Sequence, residues 1–191
     1  MDKSAVALRD STARVTEYLG FAINAVLYHR SLYPRNTFQE VQRHGVPLWI
    51  TVNDSVKAYL SGVLSQIAEW VGGQQVRKVV LPIKAVGGKD TLEVWTFDIQ
   101  TTQIASKATD LGKELLDMSK QIAASVAFLP EKPDLCTFEV YVFTELDCEE
   151  PPQWTETKPV RWTGGQSLQL RPYQAPCHRV STEVLHFPVS S

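Results

Sequence analysis

The stretch Val15-Thr16-Glu17-Tyr18-Leu19-Gly20-Phe21-Ala22-Ile23-Asn24-Ala25-Val26-Leu27-Tyr28 decides the fold. Wound as a helix, its apolar side chains point in nearly every direction, and a helix apolar all round is buried on several sides. We read it as the central helix of the core, within an element over 6–30. Asp10, Ser11 and Thr12 offer capping chemistry near its start. Tyr33-Pro34 ends it, because the residue before a proline is disfavoured in the helical region.

Working outward, 37–43 and 46–52 read as a short hairpin around His44-Gly45. Asn53-Asp54 then opens a second helix. Its Val56, Tyr59, Leu60, Val63, Leu64, Ile67 and Trp70 recur at gaps of three and four, and Gly72-Gly73 stops it. Two strands over 76–86 and 91–99 are joined through Gly87-Gly88-Lys89-Asp90, and Pro82 requires an edge or a bulge in the first of them. A third helix over 106–126 buries Leu111, Leu115, Met118, Ile122 and Val126. The strand over 135–144 carries Phe138, Val140 and Val142 on one face and Tyr141 and Phe143 on the other, which reads as a central strand.

The last quarter changes character. Residues 148–166 are polar and proline-bearing, with Trp154 and Trp162 and no period of their own. Strands are expected over 167–173 and 177–189. The whole is an α+β fold, a mainly antiparallel sheet packed on three helices. We expect one domain over 1–191; a core over about 6–145 and a mobile C-terminal β segment from about 146 are what its resemblance to a known family implies.

The chain has 19 basic and 21 acidic residues and no basic run, so direct nucleic-acid binding, which draws on phosphate neutralisation, is not expected. No apolar run is long enough to suggest a signal peptide or a membrane span. Three widely spaced cysteines, Cys136, Cys148 and Cys177, form no CxxC pair and suit a reducing compartment. The four histidines have no partners at metal-ligand spacing, and the double glycines match no phosphate-cradling pattern. No cofactor and no catalytic activity are expected. The one enzymatic alternative is a cysteine hydrolase built on Cys177 and His178.

The order of elements, together with the residues themselves, resembles the HORMA domain, in its spindle-checkpoint branch (the mitotic arrest deficient protein two family). The matching stretches are Phe21 through Arg30, Tyr33-Pro34, Thr37-Phe38, Val41-Gln42, Trp95-Thr96-Phe97-Asp98-Ile99, Val126-Ala127-Phe128-Leu129-Pro130, Pro152-Gln153-Trp154, Leu170-Arg171 and His178-Arg179-Val180. Leu8-Arg9 matches the pair that precedes the central helix. The loop after Ile99 is shorter than usual. Lys120 stands where the family has a helix-borne dimer arginine; lysine keeps the charge but lacks the planar five-donor fork.

The resemblance implies a switch between an open and a closed state. The C-terminal segment, or safety belt, leaves one sheet edge for the other and traps a partner peptide that adds as a strand. It implies peptide contacts at Tyr59, Trp70, Phe138, Val140, Tyr141 and Trp154. It implies a dimer or adaptor interface at Arg30, Lys120, Gln121 and Phe128, and switch residues at Leu8, Arg171, Tyr173, His178, Val180 and Val184. Thr157 and Thr182 are candidate phosphorylation sites on belt and tail. The implied partners are a coiled-coil checkpoint scaffold of the mitotic arrest deficient one type, the activator subunit of the anaphase-promoting complex, a HORMA adaptor with an AAA+ remodelling ATPase, and a second copy as an open–closed homodimer. The implied location is nucleus and cytoplasm, with kinetochores in mitosis. The same fold also serves as an accessory subunit of translesion DNA polymerases and in the meiotic chromosome axis.

Overall fold

The computed structural model describes residues 3–88, 90–102, 106–158 and 160–187. Helix α1 spans Lys3–His29 and its Val15, Leu19, Ile23, Val26 and Leu27 are fully buried. It touches α2 (Asp54–Gly72), α3 (Leu111–Ser125) and the sheet, as a helix apolar on all sides must. The expected cap at Asp10, Ser11 and Thr12 is corrected. The helix already runs through Lys3–Asp10, so no orphan amides remain there for a cap to satisfy. Thr12 Oγ1 instead donates back to the Leu8 carbonyl at 2.8 Å, and Ser11 turns inward.

Strands β1 (Phe38–Arg43) and β2 (Val46–Thr51) form a separate antiparallel ribbon. Its turn, with His44 and Gly45 both at positive φ, meets the first turn of α3 so closely that a Cβ at Gly112 would lie 2.4 Å from the His44 carbonyl oxygen. Asn53 caps α2, accepting from the Val56 amide at 3.1 Å, and Asp110 caps α3 by accepting from Lys113. Helix α3 therefore starts later than 106. Residues 106–109 are engaged elsewhere: the Ser106 amide donates to Pro176 O and the Thr109 hydroxyl to Gln174 O.

The main sheet contains β3 (Val76–Ala85), β4 (Thr91–Thr101), β5 (Cys136–Phe138), β6 (Tyr141–Thr144), β7 (Gln166–Gln169), β8 (Tyr173–Gln174) and β9 (His178–His186). Its order is β5-β3-β4-β9-β7, with β6 also on β3 and β8 also on β9, and every pairing is antiparallel. Lys89, in the β3–β4 turn, and 188–189, at the end of the expected last strand, lie outside the described residues.

The strand expected over 135–144 is not central. It forms the edge of the sheet, pairing with β3 alone among the described residues. Its two-faced apolarity arises because α2 and a long loop sit against an edge. Pro82 also explains why the strand divides into β5 and β6. Ile83 pairs with Phe138 and Val80 with Tyr141 in one register. Pro82 accepts from the Glu139 amide at 3.3 Å but has no N–H to return.

Candidate functional site

The bare edge β5–β6 is one wall of a cavity of about 850 Å³. Helix α2 supplies a second wall through Ala58, Tyr59, Gly62, Val63 and Trp70. Residues 145–158, leaving β6, close the third side. The six residues expected at a peptide site therefore converge here: Tyr59, Trp70, Val140, Tyr141 and Trp154 line the cavity, and Phe138 stands at its end against Tyr59.

The walls are fixed by aromatic edges. Phe138 meets Tyr59 at 5.8 Å and Tyr33 at 6.3 Å between ring centroids, both edge-on. Trp70, buried in α2, receives Trp154 of the loop edge-on at 4.9 Å. Such pairs contribute roughly 0.5–1.5 kcal/mol beyond the area they bury. Tyr141 meets Trp162 at 6.3 Å, and the Trp162 indole N–H donates to Thr91 Oγ1 at 3.3 Å, so a second tryptophan pins the loop to the sheet. Trp162 was not singled out in the sequence; its signal was its position, like that of Trp154, in an otherwise polar stretch.

Charge borders the apolar walls. Lys84 pairs with Glu139 at 2.7 Å and holds its carboxyl below the ordinary range, mainly through that hydrogen bond. The Tyr141 hydroxyl donates to the same carboxylate at 2.9 Å. Arg77 grips Glu145 at the root of the loop through two hydrogen bonds of 2.9 and 2.6 Å. Burial raises the Tyr59 hydroxyl above its ordinary value, so it remains a neutral phenol beside the edge strand.

The tail occupies the opposite flank. Nine consecutive pairs join β9 to β4, from Glu93–His186 to Thr101–His178. Val180 and Val184 are fully buried, facing Ile99 and Trp95 across the ladder, and Tyr173 stacks on Tyr18 of α1 at 4.6 Å. Both phenols are pushed up to about 12 by burial. Arg171 bonds Glu114 and Asp117 of α3 at 3.1 and 2.9 Å, while its amide donates to Gln121 Oε1 at 2.6 Å. Leu8 lines an apolar groove between α1 and α2.

Two residues with expected surface roles are buried in this arrangement. Arg30 was placed at an interface, yet it is only 6% exposed. Its guanidinium bonds the buried Glu93 carboxylate and donates to the Pro130 carbonyl at 2.9 Å, and Trp95 Nε1 donates to the same Glu93 at 3.1 Å. A buried charge needs such partners. Thr182 was a candidate for phosphorylation, but it is 1% exposed and faces Phe97 in the ladder, where a kinase cannot reach it with the tail docked. Lys120 and Thr157 are exposed, Gln121 is half-buried, and Phe128 projects from the end of α3 with 73% of its surface free.

Cys177 is buried, and the His178 ring turns to Ser11 rather than to the thiol, which leaves a hydrolase reading without its nucleophile–base contact. Among the described residues, no group of histidines, cysteines and carboxylates is arranged to hold a metal ion, and no helix is long and apolar enough to cross a membrane.

Residues 11–121 match the family model of the HORMA domain. The chain is 36% identical to the mitotic spindle assembly checkpoint protein MAD2A of Dictyostelium discoideum, over 96% of this chain and 94% of that protein. It is 31% identical to the human MAD2A protein, over 95% of this chain and 92% of that one. A chain in the crystal structure of the mitotic checkpoint complex superimposes with a TM-score of 0.86 at 29% identity, covering 93% of this chain and 99% of that one. The HTP-1 protein of C. elegans, solved bound to a HIM-3 closure motif, shares the fold with a TM-score of 0.74 at 14% identity.

Proposed function

The chain belongs to the HORMA-domain family, and from that premise we propose that it is a spindle assembly checkpoint switch that entraps a short partner peptide and thereby delays anaphase. One observation carries the reading. The tail docks on β4, at the far flank, while the β5–β6 edge stays unpaired beneath a loop that roofs a cavity. That is the closed arrangement. An extended peptide entering the cavity would donate to and accept from the free edge, and Tyr59, Trp70, Phe138 and Trp154 would take its apolar side chains. Capture and release need no bond chemistry, in keeping with a binding protein.

The peptide belongs to a coiled-coil checkpoint scaffold at kinetochores or to the activator of the anaphase-promoting complex. Holding the activator is what restrains segregation. The surface of α3 with Lys120, Gln121 and Phe128 is the docking face for a second copy in the open state or for a HORMA adaptor that recruits an AAA+ ATPase. Lys120, with a point charge in place of a fork, makes the self-dimer weak. Thr157 on the exposed loop is open to phosphorylation. The chain acts as a single domain in nucleus and cytoplasm and gathers at kinetochores in mitosis.

Affinity capture from mitotically arrested cells tests this function. The activator subunit should be recovered with the wild-type chain and lost with Trp154→Ala and Phe138→Ala. Recovery of translesion polymerase subunits in its place would overturn the checkpoint reading while leaving the peptide trap intact.

A further inference from the structure

Between Trp154 and β7 the loop runs in the open: 155–158, Val160, Arg161, Thr163 and Gly164 are exposed, and Trp162 is half-buried among them. Over that stretch, among the described residues, Trp162 makes the loop's hydrogen bond and ring contact with the sheet. Its indole N–H donates to Thr91 Oγ1 at 3.3 Å, and its ring meets Tyr141 edge-on at 6.3 Å. Tyr141 belongs to β6 and Thr91 to β4, on opposite sides of β3. The register sets Tyr141 against Val80 and Thr91 against Lys84. Strands in a sheet lie about 4.8 Å apart. A side chain that reaches both therefore straddles β3, over Pro82, midway between Val80 and Lys84.

This face of the sheet is turned away from the helices. Val79, Leu81 and Ile83 join the helix-side core, and successive residues of a strand alternate between faces, so Val80 and Pro82 point the other way. Both are nevertheless buried, Val80 to 1% exposure, and so is Val94, the register partner of Pro82, at 2%. Just beyond Trp162, Gly164 takes a φ of +84°, and a Cβ at Gly165 would lie 2.7 Å from the His186 carbonyl oxygen. The chain thus drops into β7 by a turn that suits only glycines, and Trp162 sits on a short, stiff tether. Trp154 is seated on Trp70 of α2. The chain between the two tryptophans is an arch, and 155–158 and Val160 line the cavity beneath it.

We propose that Trp162 is the buckle of this arch, a positioning residue that grips Thr91 and Tyr141, fixes the clearance above the edge strand and so governs whether a trapped peptide can slide out. The proposal rests on the reading of the cavity as a peptide trap. A strand added beside β6 turns alternate side chains to either face. Those on the helix side meet Tyr59 and Trp70 of α2. Those on the outer side meet Tyr141 and the arch. Helix α2 is a rigid wall, whereas the arch is exposed and makes no ladder, so Trp162 is where the outer wall is tied to the sheet. Without the indole, the span from Trp154 to Gly164 has one footing fewer. A longer free span costs more entropy to hold closed, and outward side chains then pass beneath it. The β4–β9 ladder is untouched by that change, so the route Trp162 controls is endwise escape.

Dissociation kinetics of the full chain decide the matter. The probe is the tightest binder to the wild-type chain from a random peptide library, labelled with a fluorophore. It is prepared once bare and once capped by a small folded protein at each end, and its release is followed under a chase of unlabelled peptide. Trp162→Ala should release the bare peptide about tenfold faster, equivalent to about 1.4 kcal/mol, the combined size of one ring pair and one hydrogen bond. Release of the capped peptide should not change. Trp162→Phe and Thr91→Val each remove the hydrogen bond and keep the ring pair. Each should speed release of the bare peptide about threefold, and the two together no more than either alone. These milder variants keep the test valid where the alanine chain fails to fold. An unchanged rate for the bare peptide, equal acceleration of bare and capped peptides, or additive effects of the two milder changes would overturn the buckle. A library that yields no binder to the wild-type chain would remove the trap reading itself, and the buckle with it.

Discussion

On one flank of the sheet, β9 lies against β4 for nine residues without a break, with His178, Val180, Thr182 and Val184 buried on its inward face. On the other, β5 and β6 reach β3 in pieces of three and four residues, no residue of either is fully buried, and the cover is loop rather than strand. The contrast separates a completed flank from a provisional one. A sheet edge with unpaired amides and carbonyls invites another chain. This one is screened by a loop that supplies two tryptophan rings but no ladder, so among the described residues the outer backbone groups of the edge have no strand partner.

The strongest way to break the contrast is at the completed flank. Glu93→Ala strands the Arg30 guanidinium in the core and frees the Trp95 N–H. Removal of one partner from a buried pair costs about 3–5 kcal/mol, and a urea melt should register the loss. Trp154→Ala acts on the provisional flank, where the ring pair with Trp70 is worth about 0.5–1.5 kcal/mol. The global midpoint should move less than with Glu93→Ala, while exchange of 148–158 rises sharply. Pro82→Val should erase the difference in continuity by adding an N–H opposite Glu139 O. A net hydrogen bond of about 1 kcal/mol and a slower-exchanging edge are expected, and an unaltered exchange pattern would show that more than the proline divides the strand. The smallest effect is electrostatic. Glu139, held low by Lys84, contributes stability at pH values above its ordinary 4.5 and loses it as pH falls through the depressed value. The pair is largely exposed, so Lys84→Ala should cost about 0.2–1 kcal/mol at neutral pH and nothing once Glu139 is protonated.

Much of this was legible in the sequence, for physical reasons that differ along the chain. The all-round apolar run of α1, the one-sided stripe of α2 and the β3–β4 hairpin are local patterns, and each appears where periodicity and turn residues place it. The cavity aromatics came from resemblance, since helix or strand spacing alone does not tell a core ring from a groove ring. What periodicity misread was decided by distant partners. Ser11 looked like a cap because its neighbours are capping residues; its partner lies 167 positions away. Residues 106–109 looked helical until the tail took their hydrogen bonds. The strand with two apolar faces looked central, because a pattern of apolarity does not distinguish a neighbouring strand from a neighbouring loop. Arg30 and Glu93, each unremarkable alone, are explained only by meeting across 63 positions.

The chain leaves the sheet at Thr144 on one flank and rejoins it at Gln166 beyond the other, so the connecting segment and the sheet make a ring whose closure across the strands is by hydrogen-bonded ladders. A filament threaded through a ring escapes by sliding out endwise or by the ring being unclasped. Where bulky side chains or a folded body flank the threaded segment, sliding is blocked. For the proposed peptide trap, residence time is then set by unzipping β9 from β4, a property of the container more than of what it contains.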